Sequence, residues 1–336
     1  MYLPLREYSV VRFTNHKRMK YFSTFSGIGG FEKAIQQAYE NNLKCEHISP
    51  ESQPEERPQG RLGSVNEPDQ MLRTSDRSAP LCVGYSEIDR YAIQIYEKHF
   101  NHKNYGNIQN IIAEELPEFD LLVGGFPCQA FSIAGKRKGF EDTRGTLFFD
   151  LARILRAKQP RLFVFENVKG LLSHDNGNTF KTIISTLDEL GYDLQWQVLN
   201  SKNHGVPQNR ERVFIIGNLR GTPRPEVFPF GEQTETTDKS IFVDESQWRR
   251  EGRLREYQGI SPTLNTVGGG GHIPLTYEGM KIRRLTPVEC ARLQGFPDNW
   301  HEGVSDSQAY KVYGNAVTVN TVQDVMEKLI NQAENK

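Results

Sequence analysis

Cysteine is scarce in this chain. The four thiols, Cys45, Cys82, Cys128 and Cys290, stand far apart, with no CxxC pair among them. That spacing argues against a structural zinc site and against a disulfide framework, and leaves free thiols as the default. Long apolar runs are also missing: charged residues make up 25% of the chain. Nothing approaches the ~18 consecutive apolar residues of a membrane-spanning helix. The N-terminal segment mixes Arg6, Glu7, Arg12, Lys17 and Arg18 with scattered apolar residues. It lacks the apolar stretch of a secretory signal, so the expected location is the cytoplasm, away from membranes. Neither sign of charge dominates, with 41 Lys and Arg against 42 Asp and Glu. A net charge of −1 gives no chain-wide attraction to a polyanion. No internal repeat is present.

What is present is local. "GKRKGFEDTRG" (135–145), "QNRER" (208–212), "WRREGRLRE" (248–256) and Arg283-Arg284 concentrate positive charge and are candidates for phosphate contact, against the plainer reading of a solvated face. Short apolar runs alternate with segments of helical periodicity. "KYFSTFSG" (20–27) leads into 31–40, "LCVGYSE" (81–87) into 89–99, and "DLLVGGF" (120–126) precedes "TLFFDLARILRA" (146–157). "RLFVFENV" (161–168) precedes "TFKTIISTLDELG" (179–191), and "RVFIIG" (212–217) closes the series. This alternation predicts an α/β fold, a mostly parallel sheet with helices on both faces. Residues 218–286 are rich in Gly, Pro and Thr and read as a second, smaller domain. Residues 287–299 predict a short helix started by Pro287 and stopped by Gly295, and 319–333 an amphipathic helix. Residues 46–80, rich in Glu, Pro and Ser, read as a solvated, mobile insertion.

"FSGIGGFE" (25–32) follows a strand and opens a helix. Small residues there let the backbone approach a ligand, although a tight structural turn reads the same way. The next strand ends in Glu87, where such folds hold a nucleotide ribose. Glu87 follows Gly27 by 60 positions, against about 20 usually; removing the polar insertion largely restores the spacing.

Cys128 stands where the "DLLVGGF" strand ends, the edge at which open α/β sheets place ligands. Pro127 fixes the backbone and Gly124-Gly125 leave room beside it. A nucleophile and a small buried hydrophobe are both open readings of that thiol. The next strand emerges at Glu166-Asn167. A carboxylate leaving so apolar a run is expected to have a raised pKa and to donate a proton, its plainer role being a partner for a backbone amide or an arginine. Arg210 and Arg212 follow, two residues apart and so on one face. They could hold a phosphate or orient a carboxylate, or form a surface ion pair.

Taken together, these strings resemble the cytosine-5 DNA methyltransferases. The resemblance runs in order through "FSGIGGFE", "SEID", "GNI", "GFPCQAFSIAGKRKGFEDTRGTLFFD", "ENVKGL", "QNRERVFIIG", "RRLTPVECARLQGFPD" and "YKVYGNAVTVN". It is most like the small bacterial enzymes of restriction–modification systems. It implies an S-adenosylmethionine-dependent methyltransferase (Rossmann-like) large domain over 1–217, interrupted by the 46–80 insertion. A small target-recognition domain over 218–286, a hinge and return segment over 287–314, and a C-terminal helix over 315–336 that packs back on the large domain complete the layout. It implies Cys128 as the nucleophile at carbon 6 of a flipped-out cytosine, with Glu166 protonating ring nitrogen 3 and Arg212 holding the base; Gln129 and Arg210 belong to the same motifs.

For S-adenosylmethionine, and its product S-adenosylhomocysteine, the resemblance implies Phe25, Ser26, Gly27, Ile28, Gly29, Gly30, Glu87, Ile88, Asn107, Ile108, Pro127, Leu147 and Asn315. For double-stranded DNA it implies the loop 129–145, with Ser132, Lys136 and Arg144, then Thr263 and Leu264; Arg249, Arg250, Arg253 and Arg255 are plausible contacts to guanine or phosphate. No metal is needed, and a monomer is expected. Family members often carry Asp where this chain has Asn107 and an aromatic where it has Ile88. The stretch 219–260 is short for the family, and the target sequence is not derivable from it. Two further readings stand beside the first: an RNA cytosine-5 methyltransferase of the tRNA type, and an inactive cofactor-binding DNA-binding protein.

Overall fold

The computed structural model describes residues 18–46, 79–127, 147–231, 241–244, 255–264, 274–278 and 281–334. Strand β1 (Lys20–Thr24) turns into helix α1 (Gly30–Glu46), and β2 (Leu81–Ser86) into α2 (Arg90–His99). Then follow β3 (Leu121–Gly125), α3 (Leu147–Lys158), β4 (Leu162–Val168), α4 (Asn178–Glu189), β5 (Tyr192–Asn200), the two-residue β6 (Gln208–Asn209) and β7 (Glu211–Leu219). Six of these strands form one sheet in the order β2-β1-β3-β4-β7-β5. Neighbours from β2 to β4 are parallel, and β7 runs antiparallel to both β4 and β5. The sheet is therefore mostly parallel with one reversed strand, as in S-adenosylmethionine-dependent methyltransferases. Strand β5 was not anticipated from the sequence, although "YDLQWQVLN" alternates apolar and polar residues as an edge strand does.

The period-2 rule shows in the sheet's two faces. Leu121 and Val123, Leu162 and Val164, and Phe214 and Ile216 join one core cluster. Their neighbours Leu122, Phe163, Phe165, Val213 and Ile215 join the other. Helix α1 lays Phe31, Ala34, Ile35 and Ala38 on the first face, at the i, i+3, i+4, i+7 spacing of one helical stripe. Helices α3 and α4 cover the second with Phe148, Leu151, Ile154, Leu155, Ile183 and Leu187.

Strands β8 (Ile241–Asp244), β9 (Arg255–Gln258), β11 (Leu275–Glu278) and β12 (Lys281–Arg284) make a separate antiparallel sheet, ordered β12-β11-β8-β9. Between its strands, β10 (Ser261–Pro262) pairs with β6. The chain does not leave the large domain at residue 218. Val227 is fully buried in the first core, and Gln195 and Gln197 on β5 donate to the carbonyls of Pro225 and Phe230. Residues 47–78 of the expected insertion lie outside the described residues.

The chain then returns. Helix α5 (Pro287–Leu293) starts in a capping box of Thr286 and Glu289 with Pro287 in its first turn, and Gly295 follows at φ +77°. Helix α6 (Asp306–Asn315) and helix α7 (Val319–Glu334) end the described chain. Val319, Val322, Val325, Met326, Leu329 and Ile330 of α7 enter the same core as α1. No helix among the described residues is long and apolar enough to cross a membrane.

Candidate active site

The carboxyl ends of β1, β2, β3 and β4 open into one cleft of about 320 Å³, within the range of small-molecule sites. Its first wall is the turn after β1. Gly27 takes φ +55°, and a Cβ there would meet nothing within 4 Å, so this backbone is open to a ligand. Gly29 and Gly30 are glycine for another reason. A Cβ on Gly29 would lie 2.4 Å from the Phe100 ring, and one on Gly30 2.6 Å from Val317. Both are therefore required to be glycine by packing, and neither lines the cleft. Phe25 also lines the cleft, with a positive φ of 51° that is uncommon for a side chain of its size.

Glu87 forms the second wall. Its Oε2 accepts from the Gly27 N–H at 2.8 Å, and its Oε1 from the N–H groups of Ile88 and Asp89 at 2.7 and 2.8 Å. A carboxylate offers about four acceptor sites, so capacity remains for a ligand hydroxyl. Asp89 caps α2 through the N–H groups of Tyr91 and Ala92. Burial pushes its pKa up, but the Lys311 ammonium and those two amides outweigh it and hold the group below the usual carboxylate range.

The reactive side of the cleft is built on β4 and β7. Glu166 pairs across the ladder with Phe214, and Arg212 with Val168. Glu166 and Arg212 are thus diagonal neighbours on one face, and Arg212 Nε meets Glu166 Oε1 at 2.9 Å. The carboxylate is ion-paired rather than isolated among apolar groups, which was the plainer of its two expected roles and does not preclude the other. Oε2 faces Gly125, where a Cβ would lie only 3.3 Å away. The Asn167 side chain donates to the Phe126 carbonyl at 2.9 Å. That bond anchors the backbone at Phe126, two positions before Cys128 in the sequence.

Arg210 behaves differently from the expectation of a phosphate ligand or a surface ion pair. It precedes β7 and is buried, donating to the carbonyls of Leu264, Gly314 and Ala316 at 3.1, 3.2 and 2.8 Å. Burial and the neighbouring Arg212 push its pKa down to about 9. It joins three chain segments and holds no carboxylate. Leu264 is corrected as well, since its side chain is buried in the core while its backbone bonds Gln208 and Arg210. The Thr263 hydroxyl donates to the Asn209 carbonyl.

Of the anticipated residues, the cleft brings together Phe25, Gly27, Glu87, Pro127, Glu166, Arg210, Arg212 and Asn315. Ser26 is buried against Ser23, and the Ile28 and Ile108 side chains are core residues. Ile88 is 69% exposed next to Glu87, as a surface for a ring would be. The Asn107 side chain caps a short helical turn through the Gln109 N–H, and Leu147 packs on the second core. Cys128, Gln129, Ser132, Lys136, Arg144, Arg249, Arg250 and Arg253 lie outside the described residues, as does the side chain of Arg255. Asn167, read with Glu166 at its strand's end, lines the cleft too; Asp89, Ala92 and Val312 also line it and were not anticipated. Asp89 stands in the quoted "SEID" string, so its proximity to Glu87 was the available signal.

The family described as "C-5 cytosine-specific DNA methylase" matches residues 76–266 and 231–331. The chain is similar to the type II methyltransferase M1.ScrFI of Lactococcus lactis subsp. cremoris, 40% identical over 279 residues, which cover 74% of this chain and 72% of that protein. It is similar to the type II methyltransferase M.HhaI of Haemophilus parahaemolyticus, 38% identical over 282 residues, covering 72% and 85%. Among solved structures it shares its fold with a DNMT2 mutant of Spodoptera frugiperda, with a TM-score of 0.63 at 18% identity over 93% of this chain and 99% of that one. By these matches the chain belongs to the C-5 cytosine-specific DNA methylase family.

Proposed function

We propose that this chain is a DNA (cytosine-5)-methyltransferase, the modification enzyme of a type II restriction–modification system. It methylates a flipped-out cytosine in a short duplex sequence. The observation that carries the reading is the Glu166–Arg212 pair, set in one cleft with Gly27 and Glu87 and beside the backbone that leads into Cys128.

S-adenosylmethionine fits the residues present. The Gly27 backbone is open, the Glu87 carboxylate retains acceptor capacity for ribose hydroxyls, and Asn315 closes the rim. When bound there it supplies an electrophilic methyl group. The chain's own residues prepare the base. The Cys128 thiolate adds to carbon 6 of cytosine, and Glu166 gives a proton to ring nitrogen 3, so that carbon 5 becomes enamine-like and nucleophilic. The Arg212 guanidinium holds Glu166 in place and keeps the base in register. Loss of the carbon-5 proton and expulsion of the thiol then restore the free enzyme. Two other thiols support the choice of Cys128: Cys82 and Cys290 are buried, and burial pushes each up to about 12, too high to act as a thiolate near neutral pH.

The tRNA-type reading is less well supported. The relatives at 38–40% identity are named type II methyltransferases, whereas the DNMT2 likeness is one of fold. Bisulfite sequencing of DNA from a methylation-free host expressing the chain is expected to show methylcytosine at one recurrent short motif. Cys128→Ser should abolish it, and Glu166→Gln should slow turnover by roughly 10²–10⁴-fold. A duplex with 5-fluorocytosine at the target should trap an adduct on Cys128. An unmethylated genome with the protein in solution, or full turnover by Cys128→Ser, would refute the reading.

A further inference from the structure

The cleft's two walls are each held by a residue of the returning segment, and neither residue enters the chemistry above. At the first wall the Trp300 indole N–H donates to the Ile28 carbonyl at 2.8 Å. The next N–H along that same peptide plane, that of Gly29, donates to the Ser26 carbonyl at 3.0 Å. The Ile28–Gly29 peptide plane, in a turn where Gly27 and Gly29 take φ +55° and +87°, is therefore pinned at both its C=O and its N–H. Glycine turns of this kind can flip a peptide plane at small cost, and two opposed hydrogen bonds oppose the flip. The indole is itself immobilised. It stacks on His99 at 3.6 Å and 5° and packs edge-on to Phe100 at 5.9 Å.

At the second wall, Lys311 Nζ meets Asp89 Oδ2 at 2.6 Å. The Asp89 N–H donates to Glu87 Oε1, and Glu87 Oε2 receives the Gly27 N–H. One chain of contacts thus runs from α6 through Asp89 and Glu87 back to the glycine turn. Between the two ends the same segment is sewn to α2 by Gln94 on the Gly303 carbonyl, away from the cleft.

We propose that Trp300 and Lys311 are positioning residues for the cofactor, presetting the glycine turn and the ribose-binding acid before the ligand arrives. The inference rests on the S-adenosylmethionine reading of the cleft. The test is calorimetric titration of the full-length chain with S-adenosylhomocysteine, alongside amide hydrogen exchange of the ligand-free protein at residues 27–30. Trp300→Phe keeps an aromatic ring at this position and removes the N–H; it should bind about 5- to 10-fold more weakly, with faster exchange at Gly29. Lys311→Met, on a partly exposed helix face that tolerates substitution, should bind about 2- to 5-fold more weakly. Gln94→Ala, which cuts the same seam elsewhere, should bind as the unaltered chain does. Unchanged affinity in Trp300→Phe and Lys311→Met overturns the inference, even if their melting temperatures fall. If Trp300→Phe does not fold, Lys311→Met alone decides. No binding by the unaltered chain overturns the cofactor reading, and this inference with it.

Discussion

Glu32 lies in the first turn of α1, directly after the glycine turn, and is 1% exposed. Burial pushes its carboxyl up from 4.5 to about 7, and the hydrogen bond from Tyr96 only partly opposes this. A group whose folded pKa exceeds its unfolded value binds protons more tightly when folded. Its contribution is therefore full below pH 4.5 and is lost as pH rises through 7. The shift corresponds to about 3 kcal/mol. Urea unfolding of the wild type and of Glu32→Gln between pH 5 and 8 should show the wild type losing stability with rising pH relative to the variant, by a few kcal/mol. Parallel curves would mean that Glu32 is not the titrating group. The sequence did not reveal this burial, because an acid in a first helical turn usually faces solvent. Arg210 was similarly opaque. Alternation placed it beside Arg212, but it precedes the strand and turns inward to three carbonyls supplied by remote segments.

Among the elements, α5 has only seven residues, below the length at which helices sustain themselves in water. It depends on its start. The Thr286 hydroxyl accepts from the Glu289 N–H, and the Glu289 carboxylate accepts from the Thr286 N–H and from Arg283. The Arg283 guanidinium leads in holding Glu289 down at about 2, so its contribution is present above 4.5 and is lost only as pH falls toward 2. Thr286→Ala is expected to cost about 1–2 kcal/mol, a loss of a few degrees in a thermal melt at neutral pH. A melt unchanged within error would show that packing alone holds the helix. Pro287 and Gly295 made this helix legible in the sequence, because start and stop signals are local chemistry, whereas the Thr286–Glu289 capping box emerged only in the structure. Parallel strands β1 to β4 were legible as apolar runs for the same reason, being buried on both faces. The reversal of β7 was not, since its direction follows from its antiparallel pairing with β5, a strand the sequence reading did not anticipate. Likewise nothing local told packing glycines from ligand glycines. Gly29 and Gly30 are explained by Phe100 and Val317, far away in the chain.

In the whole molecule, the large domain is closed by both ends of the described chain. The apolar stripe of α7 covers the sheet face that α1 also covers, and α1 carries the glycine turn at its start. Asn41 on α1 donates to Glu327 on α7, and His204, beside β6, meets Asp324 on α7 at 2.6 Å. Met326 and Leu329 are fully buried there. Removing most of either side chain leaves a cavity in a core where neighbours can only partly relax, so Leu329→Ala should cost about 2–5 kcal/mol. Because Leu329 does not line the cleft, the loss should reach the glycine turn only through global unfolding. Leu329→Ala should therefore melt earlier, yet bind S-adenosylhomocysteine with unchanged affinity at temperatures well below its transition. A chain ending at Thr318 exposes the whole stripe and is expected to lose its cooperative transition altogether. If that shortened chain instead unfolds in one sharp step with native affinity, the first face of the sheet is held without α7, which is then an attachment rather than part of the core.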